Sequence, residues 1–189
     1  MKNLHILGFS GSLRRGSFNS ALLRAASELL PEGVALEVLD LSPIPLYNRD
    51  VETAGTPEAV QNFKARITAA DALLIATPEY NYSIPGVLKN AIDWASRPPK
   101  DTPLSGKPLA IMGASGGGSG TMRAQMHLRH VAVFTNMLPL NKPEVYVTRA
   151  AEKFDAQGRL IDESTRQRVR ELLAALRDWT RRLRDETKN

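Results

Sequence analysis

The chain has 189 residues, 42% hydrophobic and 24% charged, near globular averages, which excludes disorder, collagen-like repeats and a dominant coiled coil. It has no cysteine, which excludes disulfides, thiolate nucleophiles, iron–sulfur clusters and thiolate zinc sites, and favours a reducing interior over secretion. Its 25 Lys and Arg against 20 Asp and Glu give a net charge of +5, a balance that fits nucleic acid, an anionic membrane surface or an anionic small ligand equally well.

Apolar runs of strand length alternate with longer amphipathic stretches, the pattern of a single α/β domain spanning residues 1–189. The first strand is predicted at 4–7, an apolar run too short for the core of a signal peptide. A helix follows over 19–30, with Leu22, Leu23, Ala26 and Leu30 on one face, and a second strand lies at 34–39. The proline-rich stretch 42–46 reads as a connection, and Pro57 marks the first turn of a helix whose buried stripe is Val60, Phe63 and Ile67. Ala-Leu-Leu-Ile-Ala at 72–76 is the most continuous apolar run and so the central strand. Next come a helix over 85–96, stopped by Pro98 and Pro99, a strand at 108–112, a helix over 124–134 and a fifth strand at 144–148. A long amphipathic helix closes the chain, its stripe formed by Val169, Leu172, Leu173, Leu176, Trp179 and Leu183. Five strands joined by helices imply right-handed crossovers and a three-layer sandwich. No run reaches the ~18 apolar residues of a membrane helix, so a cytoplasmic protein is expected.

Residues 159–189 carry a net +3, with acidic residues interspersed among the arginines as on a solvated helix face. The aromatics that nucleic-acid stacking requires are missing there, since Trp179 belongs to the apolar stripe; no nucleic-acid partner is expected.

The loop after the first strand holds Ser10, Ser12 and Ser17, which can donate hydroxyl hydrogen bonds, with Arg14 and Arg15 for charge and Asn19 for an amide. It stands where backbone N–H groups and a helix dipole converge on anions, and Gly11 and Gly16 allow a tight turn. It is neither G-x-G-x-x-G nor a P-loop, and Ser17 or Asn19 could also serve as a plain helix cap. The loop after the central strand, Pro78, Glu79, Tyr80, Asn81, Tyr82, offers aromatic faces and an amide suited to a planar heterocycle.

Ser-Gly-Ser-Leu-Arg-Arg-Gly-Ser-Phe-Asn at 10–19 and Pro-Glu-Tyr-Asn-Tyr-Ser-Ile-Pro-Gly-Val-Leu-Lys-Asn-Ala-Ile-Asp-Trp at 78–94 resemble the NAD(P)H-dependent FMN reductases, in particular their chromate- and quinone-reductase branch. The resemblance implies a flavodoxin-like fold with a five-stranded parallel sheet in the order 2-1-3-4-5, bound FMN, and NADPH or NADH as co-substrate. By the same resemblance Ser10, Ser12, Leu13, Arg14, Arg15, Gly16, Ser17, Phe18 and Asn19 belong to the phosphate cradle. Pro78, Glu79, Tyr80 and Asn81 would line the isoalloxazine, partly through backbone groups, and Ser115 and Gly116 would complete the ring pocket. A hydride would pass from nicotinamide to FMN and electrons on to a quinone, chromate, azo or flavin acceptor, with no side chain acting as acid or base and no metal. His5, His127 and His130 are read as structural. A homodimer or homotetramer is implied, and the helix at 85–95 with Trp94 is the expected interface, with Arg97 and Glu144 as polar contacts. The competing reading is a flavodoxin-type electron carrier without nicotinamide reactivity, a class whose usual acidity the +5 charge does not share.

Overall fold

Nearly every side chain of β1 (Leu4–Ser10), β3 (Ala72–Ala76) and β4 (Pro108–Ala114) is buried, as in a parallel sheet covered on both faces. The computed structural model, which describes residues 3–186, sorts these side chains by the two-residue period of a strand. Leu4, Ile6, Leu74, Ala110 and Met112 enter one core with helices α1 (Phe18–Glu28) and α6 (Glu163–Glu186). Leu7, Phe9, Leu73, Ile75 and Ile111 enter the other with α3 (Glu58–Ala69), α4 (Gly86–Ala95) and α5 (Met122–Thr135). The stripe read for the last helix is buried from Val169 to Leu176, while Trp179 is half-buried and donates its indole N–H to the Leu138 carbonyl.

Strand β2 (Val34–Leu39) pairs with β1, β1 with β3 and β3 with β4, all parallel, which is the flavodoxin-like order expected. The fifth position differs from a single strand. It is shared by β5 (Leu138–Pro139), beside the start of β4, and β6 (Val145–Val147), beside its end, so the sheet has six strands. Pro139 and Pro143 cannot donate to a ladder, and the edge is broken between them.

Other elements shift by local chemistry. β1 continues through Ser10 because Gly8, Phe9 and Ser10 still pair with Leu74, Ile75 and Ala76. Pro57 is the cap of α3 and not its first helical residue. The proline-rich connection leads into a short helix, α2 (Arg49–Ala54), whose cap Asn48 accepts the Asp50 N–H at 2.8 Å.

The expectation that Trp94 forms an interface is overturned. Its ring is 1% exposed, its indole N–H donates to the Pro45 carbonyl at 2.8 Å, and Tyr47 packs edge-on with ring centroids 5.0 Å apart. Helix α5, by contrast, carries four exposed apolar side chains, Met122, Met126, Val133 and Phe134. No helix among the described residues is long and apolar enough to cross a membrane. Trp94→Ala is expected to cost about 3–5 kcal/mol in urea unfolding, the range for emptying a buried aromatic site. Leu46→Ala, at a side chain 84% exposed, should stay within about 0.5 kcal/mol.

Candidate functional site

Three loops leave the carboxyl edge of the sheet side by side, after β1, β3 and β4. Backbone pairing carries past the strand ends, with Gly11 N–H donating to the Ala76 carbonyl at 2.9 Å and Thr77 N–H to Met112 at 3.0 Å. Two glycines make this proximity possible. A Cβ on Gly11 would stand 2.8 Å from Pro85 Cγ and 3.2 Å from Pro78 Cδ, so the first loop lies directly on the second. A Cβ on Gly113 would collide with Thr121 Oγ1 and the Thr77 carbonyl.

In the first loop Ser10 Oγ accepts the Ser12 N–H, and Ser17 N–H donates to the Arg14 carbonyl, which folds 14–17 into a turn. Ser17 is the α1 cap, its Oγ accepting the N–H groups of Asn19 at 3.2 Å and Ser20 at 3.3 Å. Asn19 is buried and committed: its Nδ2 donates to the Ala114 carbonyl at 3.0 Å and its Oδ1 accepts the Ala114 N–H at 2.9 Å. Among the described residues the N–H groups of Leu13, Arg14, Arg15 and Gly16 have no acceptor. Four successive unpaired donors before a helix N-terminus, flanked by the Ser12 hydroxyl and two guanidiniums, are a donor set for a phosphate. Arg14 lies over the Phe18 ring at 5.7 Å, and Arg15 has no side-chain partner among the described residues.

The second loop is a tight hairpin. Tyr80 and Ser83 exchange both backbone hydrogen bonds at 3.0 Å, while Asn81 and Tyr82 occupy the turn at φ 51° and 64°, the positive values a type I′ turn demands. Such a φ is unfavourable for a bulky residue, and the Arg123 guanidinium, 3.9 Å from the Tyr82 ring centroid, helps hold it. Tyr80 and Tyr82 are 52% and 66% exposed. Pro78 is buried beneath them.

Glu79 turns away from the cleft. Its Oε1 accepts from Arg123 Nη1 at 2.6 Å, and its Oε2 accepts the N–H groups of Arg123 at 2.9 Å and Ala124 at 3.2 Å. The carboxylate thus caps α5, whose own cap residue Thr121 makes no side-chain hydrogen bond to the helix N–H groups. Burial alone would raise the Glu79 carboxyl; the Arg123 guanidinium and the two N–H groups outweigh it and hold it below the ordinary carboxylate value. The third loop brings Ser115, whose buried Oγ has no hydrogen-bond partner, next to the exposed Gly116. An orphaned hydroxyl beside a phosphate donor set and an aromatic hairpin fits a ligand with a phosphate at one end and a planar, hydrogen-bonding ring at the other. FMN has that form.

Sequence spacing did not reveal Arg123 or Thr121, which meet the second loop only through the fold. Nor did it reveal Arg149 and Ala150, whose N–H groups donate to the carbonyls of Gly117 at 3.2 Å and Ser115 at 3.0 Å. His5 lies at the β1–β2 pairing with its Nε2 3.2 Å from Glu37, and His127 Nδ1 lies 3.0 Å from Ser83 Oγ.

A parallel sheet in this order, with unpaired N–H groups after its first strand and three loops meeting at its carboxyl edge, defines a flavodoxin-like protein. The sequence profile of the NADPH-dependent FMN reductase family matches residues 4–152. An NAD(P)H-dependent FMN reductase of Pseudomonas aeruginosa is 59% identical over 182 residues, covering 96% of this chain and 98% of that protein. An NADPH:quinone oxidoreductase of Arabidopsis thaliana is 45% identical over 186 residues, covering 95% and 93%. The solved structure of the flavoenzyme NAD(P)H:(acceptor) oxidoreductase FerB of Paracoccus denitrificans superposes with a TM-score of 0.87 at 36% identity, covering 95% of this chain and 98% of that one. The chain belongs to the NADPH-dependent FMN reductase family and is an FMN-dependent oxidoreductase.

The depressed Glu79 carboxyl gives a pH prediction. A group whose folded value lies below its unfolded one contributes stability that is present above the unfolded value, ordinarily 4.5, and lost as the pH falls towards the folded value. Glu79→Gln should therefore lower stability by about 1–2 kcal/mol at pH 7, with the gap to the wild type shrinking below pH 4.5 in urea titrations. A gap that does not change with pH would remove the charge from this account.

Proposed function

We propose that the chain carries two electrons from NAD(P)H through bound FMN to a quinone. The observation that carries this reading is the convergence of four unpaired N–H groups, the orphaned Ser115 hydroxyl and an exposed aromatic hairpin on one sheet edge. Bound FMN would supply the redox chemistry, a two-electron exchange between nicotinamide and acceptor. The N–H groups of residues 13–16, with Ser12 and Arg14, hold its phosphate. Pro78, the peptide groups of Glu79, Tyr80 and Asn81, and Ser115 with Gly116 would line its ring.

No side chain is needed as a general acid or base, and the Glu79 carboxylate is fully engaged by α5. Its task is to hold the hairpin. The Tyr80 and Tyr82 rings offer flat faces on which a quinone can stack beside the flavin. The quinone assignment draws support from the plant relative; chromate, azo and flavin acceptors are compatible with the same open face. A cysteine-free chain suits the reducing cytoplasm, where we place it. We also assign a homodimer or homotetramer joined through α5, because Val133 and Phe134 are 79% and 78% exposed and continue the line of Met122 and Met126.

The purified protein is expected to be yellow, with an oxidised-flavin spectrum that anaerobic NADPH or NADH bleaches and a quinone restores. Colourless protein that takes up no added FMN would overturn the reading, and flavin that neither nicotinamide reduces would make the chain a carrier. In size-exclusion chromatography the wild type should elute well above its 20.8 kDa chain mass, and Phe134→Glu should shift it towards the monomer. A monomeric wild type would sink the α5 interface.

A further inference from the structure

Residues 148–161, between β6 and α6, mostly lie beyond the family match and have no role in the site described above. They nevertheless touch both ends of it. At one end the Arg149 and Ala150 N–H groups are hydrogen-bonded to the third loop. At the other, Phe154 and Leu160 close an antiparallel bridge, and both side chains are buried in the α1 core. Gly158 lies along α1, where a Cβ would stand 3.1 Å from Arg24 Nη2.

The Phe154 ring lies 5.4 Å from the Phe18 ring at a tilt of 34°. Phe18 in turn lies beneath the Arg14 guanidinium, 5.7 Å from its ring centroid. Arg14 Nη1 folds back over the turn, 3.2 Å from where a Gly16 Cβ would stand. Phe154, Phe18 and Arg14 thus form a column running from the core to the unpaired N–H groups of residues 13–16. Among the described residues Arg15 has no hydrogen bond, ion pair or ring contact to fix its side chain, so using it would require ordering that side chain on binding.

We propose that Phe154 is a positioning residue for the cofactor phosphate: it braces Phe18, which holds Arg14 over the first-loop turn, so that Arg14 and not Arg15 meets the phosphate charge. The inference rests on the reading of the first loop as the FMN cradle. It assigns a function to the segment after β6, as the outer wall that couples the first and third loops.

The test uses apo-protein titrated with FMN and with riboflavin, which lacks the phosphate, each followed by flavin fluorescence. Phe154→Leu keeps an apolar side chain in the core and removes the ring. It should weaken FMN binding roughly three- to tenfold, the scale of a lost cation–π arrangement, and leave riboflavin binding unchanged. Arg14→Ala should lose the same preference for FMN, Phe154→Leu should add nothing in that background, and Arg15→Ala should retain the preference. Equal weakening of FMN and riboflavin by Phe154→Leu would mean general support of the fold and overturn the proposal. Loss of the preference in Arg15→Ala alone would overturn it while leaving the cradle standing. A wild type that binds riboflavin as tightly as FMN would overturn the cradle reading, and the inference with it.

Discussion

The pair of hydrogen bonds between the Asn19 side chain and the Ala114 peptide sets the spacing on which the site depends. Ala114 is the last residue of β4, and Asn19 is in the first turn of α1, so one buried amide fixes the first loop against the third. Both peptide groups of Ala114 would otherwise be buried at a strand end, where leaving them unpaired costs more than the bonds gain over water. The clamp is therefore strong for a negative reason: breaking it exposes nothing to solvent that could compensate. With α1 held there, the turn at 14–17 has one place to go, above the helix N-terminus and beside Ser115.

Glu79 performs the same service for the second loop, with charge added. Its carboxylate joins the residue after Pro78 to the N-terminus of α5, 44 positions further along the chain. The Arg123 so fixed then lies over Tyr82 and offsets part of the strain of its positive φ. The polar side chains of Asn19 and Glu79 are thus spent on geometry, while among the described residues the N–H groups of 13–16 and the Ser115 hydroxyl stay unpaired. Such a division suits a protein whose chemistry resides in a cofactor: rigid dipoles orient it, and no titrating group sits where it would disturb the transfer.

Most of the layout was legible in the sequence because it follows from periodicity. The run at 72–76 is apolar at every position and could only be a doubly covered strand, and Leu22, Leu23 and Ala26 share the inward face of their helix for the same reason. What failed depended on partners distant in sequence. Trp94 looks like an exposed aromatic on an amphipathic helix; only the fold brings the Pro45 carbonyl to its indole N–H. The capping of α5 by the Glu79 carboxylate is hidden in the same way, because Arg123 and Ala124 meet it only through the fold. The broken fifth strand was legible in principle, since Pro139 and Pro143 both interrupt a ladder, yet the apolar run at 144–148 outweighed them.

The charge excess resolves in the same way. On α6 the arginines meet local acids, Arg170 with Glu163 at 2.6 Å and Arg177 with Asp178 at 2.7 Å, and Arg184 reaches Asp71. Exposed pairs of this kind add little stability, and they offset only part of the positive charge of residues 159–189, which keep a net +3. Arg14, Arg15 and Arg149, by contrast, are exposed with no acidic partner among the described residues, and all three leave the carboxyl edge of the sheet. A cleft with uncompensated positive charge at its rim raises the local concentration of anions. FMN and the reduced nicotinamides are both anionic through their phosphates. A chain with no thiol has no two-electron carrier among its own side chains, so its redox function requires that it capture such molecules, and three exposed arginines stand at the rim to attract them.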